Sequence, residues 1–451
     1  MELPRMYLCK QKFPREEVAE PARTLTSLLS SSWVPERVRP GEKVAITGGS
    51  RGITAMVPLV RALVEYLQQL GAEPFVVNAM GSHGGGTAEG QREILTALGM
   101  TEANLGCPII ASMEVEQIGE LADGFPVLCD KNAWRADHIV VINRVKLHTA
   151  VRGPVQSGLC KMIAVGLGKE RQAARLHRYG PAEMGRLIQE AASVALRKAL
   201  ILAGVAIVEN AYGKVARLEL VRPADFLAAD ARLLQEAARL QPVLPVKELD
   251  LLVVEELGKI YSGAGLDPHV IGRWRIWGEP EPESPRIQRI VVLRLAASSR
   301  GNAQGMGLAD FITENFHRSV DFKATYKNAL TSTFVQRGMI PVIGASDREA
   351  INDALFSLLR GREDGLKIGW IKNTLHLEKL ALSPAALVEY ANTSTGAQTG
   401  TSTGMTTGSP AGVPAVEKLR AVDWRFDANG SLLPWEEESQ DAQSLEDQPS
   451  R

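Results

Sequence analysis

The chain has 451 residues, 45% of them hydrophobic, and its 51 Lys+Arg against 52 Asp+Glu leave a formal net charge of -1. That apolar content is ample for real cores, and the balanced charge offers no basic field to gather nucleic acid or an anionic membrane surface. The cysteines Cys9, Cys107, Cys129 and Cys160 form no Cys-x-x-Cys pair, charges interrupt the N-terminal MELPRMYLCKQKFPREE, and no run approaches the roughly 18 uncharged apolar residues of a membrane span. The expectation is a cytoplasmic protein with a small-molecule partner.

From Lys43 short apolar runs alternate with amphipathic stretches: KVAIT, TAMVPLVRALVEYLQQLG, EPFVVNAMG and GQREILTALGM. Strand, helix, strand, helix predicts parallel α/β units, whose ligand sites lie at the carboxyl ends of the strands. The glycine-rich segments GGSRG (48–52) and GSHGGGT (81–87) fall at those ends. HIVVIN (138–143) predicts another buried strand, and KLHTAVRGPVQSGLCKMIAVGLGKERQAARLH begins just after it. AEMGRLIQEAASVALRKAL (182–200) predicts a helix, VAIVENA (205–211) a strand, and RPADFLAADARLLQEAARL a helix with Pro223 in its first turn. These elements compose an N-terminal α/β cofactor-binding domain, residues 1–245.

LDLLVVEEL (249–257) and RIVVLRL (289–295) again lead into glycine-rich turns, Ser346 and Glu349 form a capping box before REAINDALFSLL, and LKIGWI (366–371) predicts a last strand. A second α/β domain spans 246–385. In the remainder, 386–451, NTSTGAQTGTSTGMTTGSPAG has too little apolar surface to offset the entropy of ordering and is read as a flexible insertion. RAVDWRFDANGSLL returns as a strand or hairpin, and the acidic end from Glu436 is read as disordered. The fold class is therefore α/β, two domains with mostly parallel sheets and the active site in the cleft between them.

The segment after HIVVIN carries His148, Lys161 and His177. Imidazoles move protons or bind metals, and a lysine can bind or be modified. On residue types alone, His148 near Lys146 and Arg152 is either a base beside cations or part of a phosphate-binding loop, and His177 in KERQAARLHR is either a ligand or a helix-surface residue. Arg51 in GGSRG is a carboxylate or phosphate clamp, or a surface arginine at a helix start. Ser82, His83 and Thr87 lie in a turn whose backbone N–H groups can approach an anion, or which is simply tight. His138, His317 and His376 read as structural.

MGSHGGGTAEGQREILTALGM, followed by KLHT, SGLCKMIAVGLGK and LH, resembles the lactate racemase family, enzymes that carry a nickel-pincer nucleotide. The resemblance runs from Lys43 to His177, and more loosely through GKIYSGAGLDPHVIGR, DFKATYKNALTS and IKNTLHLE. It implies that Lys161 tethers the cofactor covalently through a thioamide, that His177 completes the nickel coordination, and that His148 is the general acid/base. Lys146, Ser82, His83 and Thr87 become cofactor contacts, and Arg51 a catalytic and substrate-binding residue. The implied reaction is racemisation or epimerisation of a 2-hydroxy acid by proton-coupled hydride transfer, and the implied partners are that substrate and the enzymes that build the pincer.

The chain departs from the family at IIASMEVEQIG, where Met113 stands in place of a second acid/base histidine. Methionine accepts no proton, so either the neighbouring Glu114 or another group such as His83 is the catalytic replacement, or the enzyme is not a symmetric racemase. In the second domain Lys259 and Arg273 are the candidate substrate contacts. Two other readings stand beside the racemase: a noncatalytic homologue that binds a nucleotide or organic acid, and a different redox reaction on the same cofactor.

Overall fold

Successive side chains of a strand point to opposite faces of its sheet, so an unbroken apolar strand needs cover on both sides. The computed structural model describes residues 3–50, 52–359, 365–396 and 420–435, and there the predicted strands are covered in this way. Ala45, Val77, Ile139 and Val141 face one core, and Val44, Ile46, Val76, Val140 and Ile142 face the other.

The first strand is β1 (Met6–Lys10), followed by β2 (Lys43–Gly48), β3 (Glu73–Asn78) and β4 (Ile109–Ile110). A hairpin of β5 (Val115–Glu120) and β6 (Pro126–Asp130) precedes β7 (His138–Arg144), β8 (Ile201–Glu209) and β9 (Val215–Val221). One sheet has the order β4-β3-β2-β7-β8-β9, parallel except for the antiparallel pair β8–β9. The expected helices are present as Met56–Gln69, Ala88–Ala97, Gly180–Lys198 and Phe226–Leu240.

The second sheet draws on β10 (Glu248–Leu257), β11 (Arg286–Leu295), β12 (Phe311–Thr313), β13 (Val342–Gly344), β14 (Ile368–Ile371), β15 (Lys379–Leu382) and β16 (Arg420–Val422). Its order is β13-β12-β11-β10-β14-β15-β1-β16, parallel from β13 to β14 and antiparallel from there on. The helix Asp347–Phe356 starts as expected, with Ser346 Oγ accepting from the Glu349 N–H at 3.2 Å. The molecule is thus an α/β protein built on two mostly parallel sheets.

One boundary differs from the expected 1–245. β1 joins the second sheet, between β15 and β16, because Met6 and Cys9 bury on its opposite faces there. The chain then crosses over, and Leu25 and Leu29 of the helix Pro21–Ser30 pack into the first sheet's core. RAVDWRFDANGSLL does return: β16 is followed by a turn in which Asp427 Oδ1 accepts from the Asn429 and Ser431 N–H groups, and Trp424 stacks on Trp370 with ring centres 5.1 Å apart. The helix Pro384–Gly396 runs into the start of the Gly/Ser/Thr-rich segment, whose remainder, like the acidic end from Glu436, lies outside the described residues. Among the described residues no helix is long and apolar enough to cross a membrane.

Candidate functional site

β3, β2 and β7 are neighbours in the first sheet, so the loops leaving their carboxyl ends meet along one edge. Arg51, in the loop after β2, lies outside the described residues. After β3, the chain folds back at Gly84, Gly85 and Gly86, all with left-handed backbone. Gly84 is required there: a Cβ would stand 2.5 Å from the Gly90 carbonyl carbon. The Thr87 hydroxyl caps the next helix, accepting from the Gly90 N–H at 3.2 Å, while Ser82 and His83 are half-buried in the turn.

A buried polar hub holds this turn. Asn78, at the end of β3, donates to Gln91 Oε1 at 2.5 Å, and Gln91 donates to the carbonyls of Gly81 at 2.9 Å and His83 at 3.0 Å. Lys169 is fully buried, with Nζ 2.7 Å from Asp130 and 2.9 Å from Asn78 Oδ1. A charge buried without such partners would cost several kcal/mol (about 3–5), so these contacts fix where Lys169 can sit. Its left-handed backbone, φ 58°, turns the chain just before the helix Lys169–His177.

Lys161 closes the short helix Gly158–Lys161, which continues into the π-helical turn Met162–Leu167. Such turns are rare and collect at functional sites. The buried carboxylate of Asp230 accepts from the Leu159 N–H at 3.0 Å and the Cys160 N–H at 2.8 Å, fixing the helix start, and burial pushes its pKa up to about 6. Gly158 has φ 81°, and a Cβ there would lie 2.2 Å from Asp230 Oδ1.

His148 is half-buried in the loop after β7. Its Nδ1 accepts from the Ala150 N–H at 3.1 Å and the Val151 N–H at 2.9 Å, and its own N–H donates to Gln156 Oε1 at 3.0 Å. Burial first, then the charges of Lys161, His177, Arg337 and Lys146, hold its pKa well below the usual imidazole value. His177 ends its helix with its ring edge-on to Phe334, and burial followed by Lys161 pulls its pKa down to about 4. The expected trio and Lys146 therefore share one electrostatic neighbourhood.

Arg337 completes that neighbourhood, and sequence reasoning missed it. Only 2% exposed, it comes from the second sheet's side and donates to the carbonyls of Thr149 at 2.7 Å and Trp274 at 2.9 Å. His269 Nε2 donates to the His148 carbonyl at 3.0 Å, Thr333 Oγ1 to the His177 carbonyl at 3.4 Å, and Lys327 Nζ to the Gly85 carbonyl at 3.4 Å. Arg152 lies 4.1 Å from the Trp274 ring centre and pairs with Glu279 at 3.1 Å. The site is thus the seam where the two sheets' loops meet.

Three expected residues are engaged elsewhere. Glu114 is exposed and held by Lys131 at 2.8 Å, which keeps its carboxyl below the usual range. Arg273 is spent on Asp310 at 2.7 Å and on the carbonyls of Ile287, Gln288 and Leu308, and Lys259 Nζ donates to the Gly263 carbonyl at 2.9 Å. None of the three is among the charges acting on His148. Met113 lies beside the hub, its sulfur 3.9 Å from Asn78 Nδ2.

Among the described residues no group of three or more His, Cys, Asp or Glu could hold a metal. His177 Nδ1, however, is buried with no hydrogen-bond partner. One bare imidazole nitrogen beside a lysine suits an ion that brings its other ligands with it.

Residues 45–234, which include the trio, match a family described as a domain of unknown function (DUF362). No curated protein matches the chain. The structure of the lactate racemase apoprotein from Thermoanaerobacterium thermosaccharolyticum is similar at a TM-score of 0.50 and 11% identity, over 82% of this chain and 98% of that one. At that identity the likeness is one of fold, and this chain has a lactate racemase-like fold.

Proposed function

We propose that the chain is a racemase or epimerase of a 2-hydroxy acid that works with a nickel-pincer nucleotide. The observation that carries this reading is the gathering of His148, Lys161 and His177 in one seam, with His177 Nδ1 buried and unpartnered. Lys161 would hold the group covalently and His177 Nδ1 would ligate the nickel. When bound, the group supplies an acceptor for the hydrogen on the substrate's α-carbon.

The protein's own residues do the rest. Lys146, Lys161 and Arg337 make the seam positive, which favours an anionic carboxylate substrate. His148 meets the substrate's oxygen, and the second sheet's loops close the seam against water. Enzymes that build the pincer are the implied partners. Met113, together with an exposed, lysine-paired Glu114, favours a second reading, a redox reaction on the same cofactor that needs only one proton-handling group.

The test is a screen of 2-hydroxy acids with cofactor-loaded protein, followed by chiral chromatography. Conversion of one enantiomer or epimer into the other by wild type, and none by Lys161→Ala, supports the reading. Oxidation without inversion would favour the second reading, and no turnover of any 2-hydroxy acid contradicts both.

A further inference from the structure

The loop that carries His148 decides which of its nitrogens holds the proton. A neutral imidazole has one N–H and one lone pair, and the neighbours of each nitrogen settle which is which. At His148 two main-chain N–H groups, of Ala150 and Val151, both point at Nδ1. Nδ1 is therefore the bare acceptor, and the proton sits on Nε2.

We infer that His148 serves as a fixed, neutral Nε2–H donor to an oxygen of the bound anion, and that it does not take up that anion's proton. Its one lone pair is already engaged, so accepting a proton means expelling both main-chain donors from Nδ1. The charged and titratable groups acting on it, Lys161, His177, Arg337 and Lys146, are all basic, and a further positive charge among them is opposed.

Both sides hold the turn in this state. From the second sheet's side His269 Nε2 donates to the His148 carbonyl and Arg337 Nη2 to the Thr149 carbonyl, while Gln156 Oε1 of the same loop accepts from the His148 N–H. With those groups drawn away, the N–H groups of Ala150 and Val151 are left aimed at the ring. A donor set in advance needs no reorganisation when charge develops on the oxygen it faces. That this oxygen belongs to a 2-hydroxy acid rests on the function proposed above, whereas the tautomer does not. The hydroxyl proton then goes to another group, for which His83, half-buried in the glycine turn after β3, is the candidate.

The experiment is nitrogen NMR of the full-length chain labelled with 15N-histidine, with and without His148→Gln to assign the signal. The expected spectrum at neutral pH shows a bare Nδ1 and a protonated Nε2 at His148, while a protonated Nδ1 or a doubly protonated ring overturns the inference. A second arm uses the loaded enzyme. His148→Gln puts an amide N–H near the Nε2 position and should keep about a tenth of the rate or more, whereas His148→Ala loses on the order of 100-fold, as removal of such a donor does. Equal loss in both variants overturns the donor role. If no 2-hydroxy acid is turned over at all, the proposed function fails, and the NMR result still decides the tautomer.

Discussion

On the first sheet's side, the loops after β3 and β7 carry the candidate site residues and are shaped from within: Asn78 and Gln91 hold the glycine turn, and Asp230 fixes the start of the Lys161 helix. On the second sheet's side, Arg337, His269 and Lys327 reach across and grip main-chain carbonyls of those same loops, and Thr333 grips the His177 carbonyl at the end of its helix. One side presents the candidate residues on loops held from within, and the other clamps those loops from outside. A change on either side should therefore disturb the site, but in different ways.

The largest effect should come from the first side. Gly158→Ala puts a methyl onto Asp230 and forces a left-handed backbone on alanine, and should cost about 4 kcal/mol, measured by urea unfolding. If the cost is under about 1 kcal/mol, the Asp230 anchor is not what holds the Lys161 helix. Next comes Arg337→Leu, which strands the buried Trp274 carbonyl and the part-buried Thr149 carbonyl and should cost about 3 kcal/mol. It should also speed amide hydrogen exchange at Ala150 and Val151 while sparing the Lys161 helix. Equal exchange in both places would erase the distinction between presenting and gripping.

A comparable effect is the pH dependence of stability. His177 has a folded pKa of about 4 against an ordinary 6.5, so the folded state binds fewer protons between those values. The stability that His177 contributes is full above pH 6.5, falls as the pH drops toward 4, and levels off below. The loss should be about 3 kcal/mol, and His177→Gln should flatten that part of the curve. The smallest effect belongs to Glu114→Gln, which removes one exposed pair and should leave the urea unfolding midpoint where it is. Loaded enzyme carrying it should keep its rate, and a large loss of rate would return Glu114 to the site.

The presenting side was the legible one. His148, Lys161 and His177 share one contiguous segment after an apolar strand, and the family resemblance singles them out where residue types alone leave loop and surface readings open. The strand ends of the first sheet were legible for the same reason, since unbroken apolar runs mark buried parallel strands. The gripping side was not. Arg337, in FVQRGMIPV, reads as a surface cation, and only the packing of a distant segment places it against the Thr149 carbonyl. Lys169 in KERQ reads as solvent-facing, because neither its left-handed backbone nor its partner Asp130 leaves a local trace. The short, charge-interrupted apolar run that forms β1 names neither a strand nor its neighbours, and its place beside β15 came from the second sheet's open edge.

Whether Lys161 and His177 jointly hold a nickel-bearing nucleotide is decided by intact mass and nickel content of the chain produced together with the pincer-building enzymes. Wild type should carry an added nucleotide mass and nickel, Lys161→Ala no adduct, and His177→Ala an adduct with weakened nickel retention. Wild-type protein of unmodified mass, carrying no nickel, would contradict that joint hold.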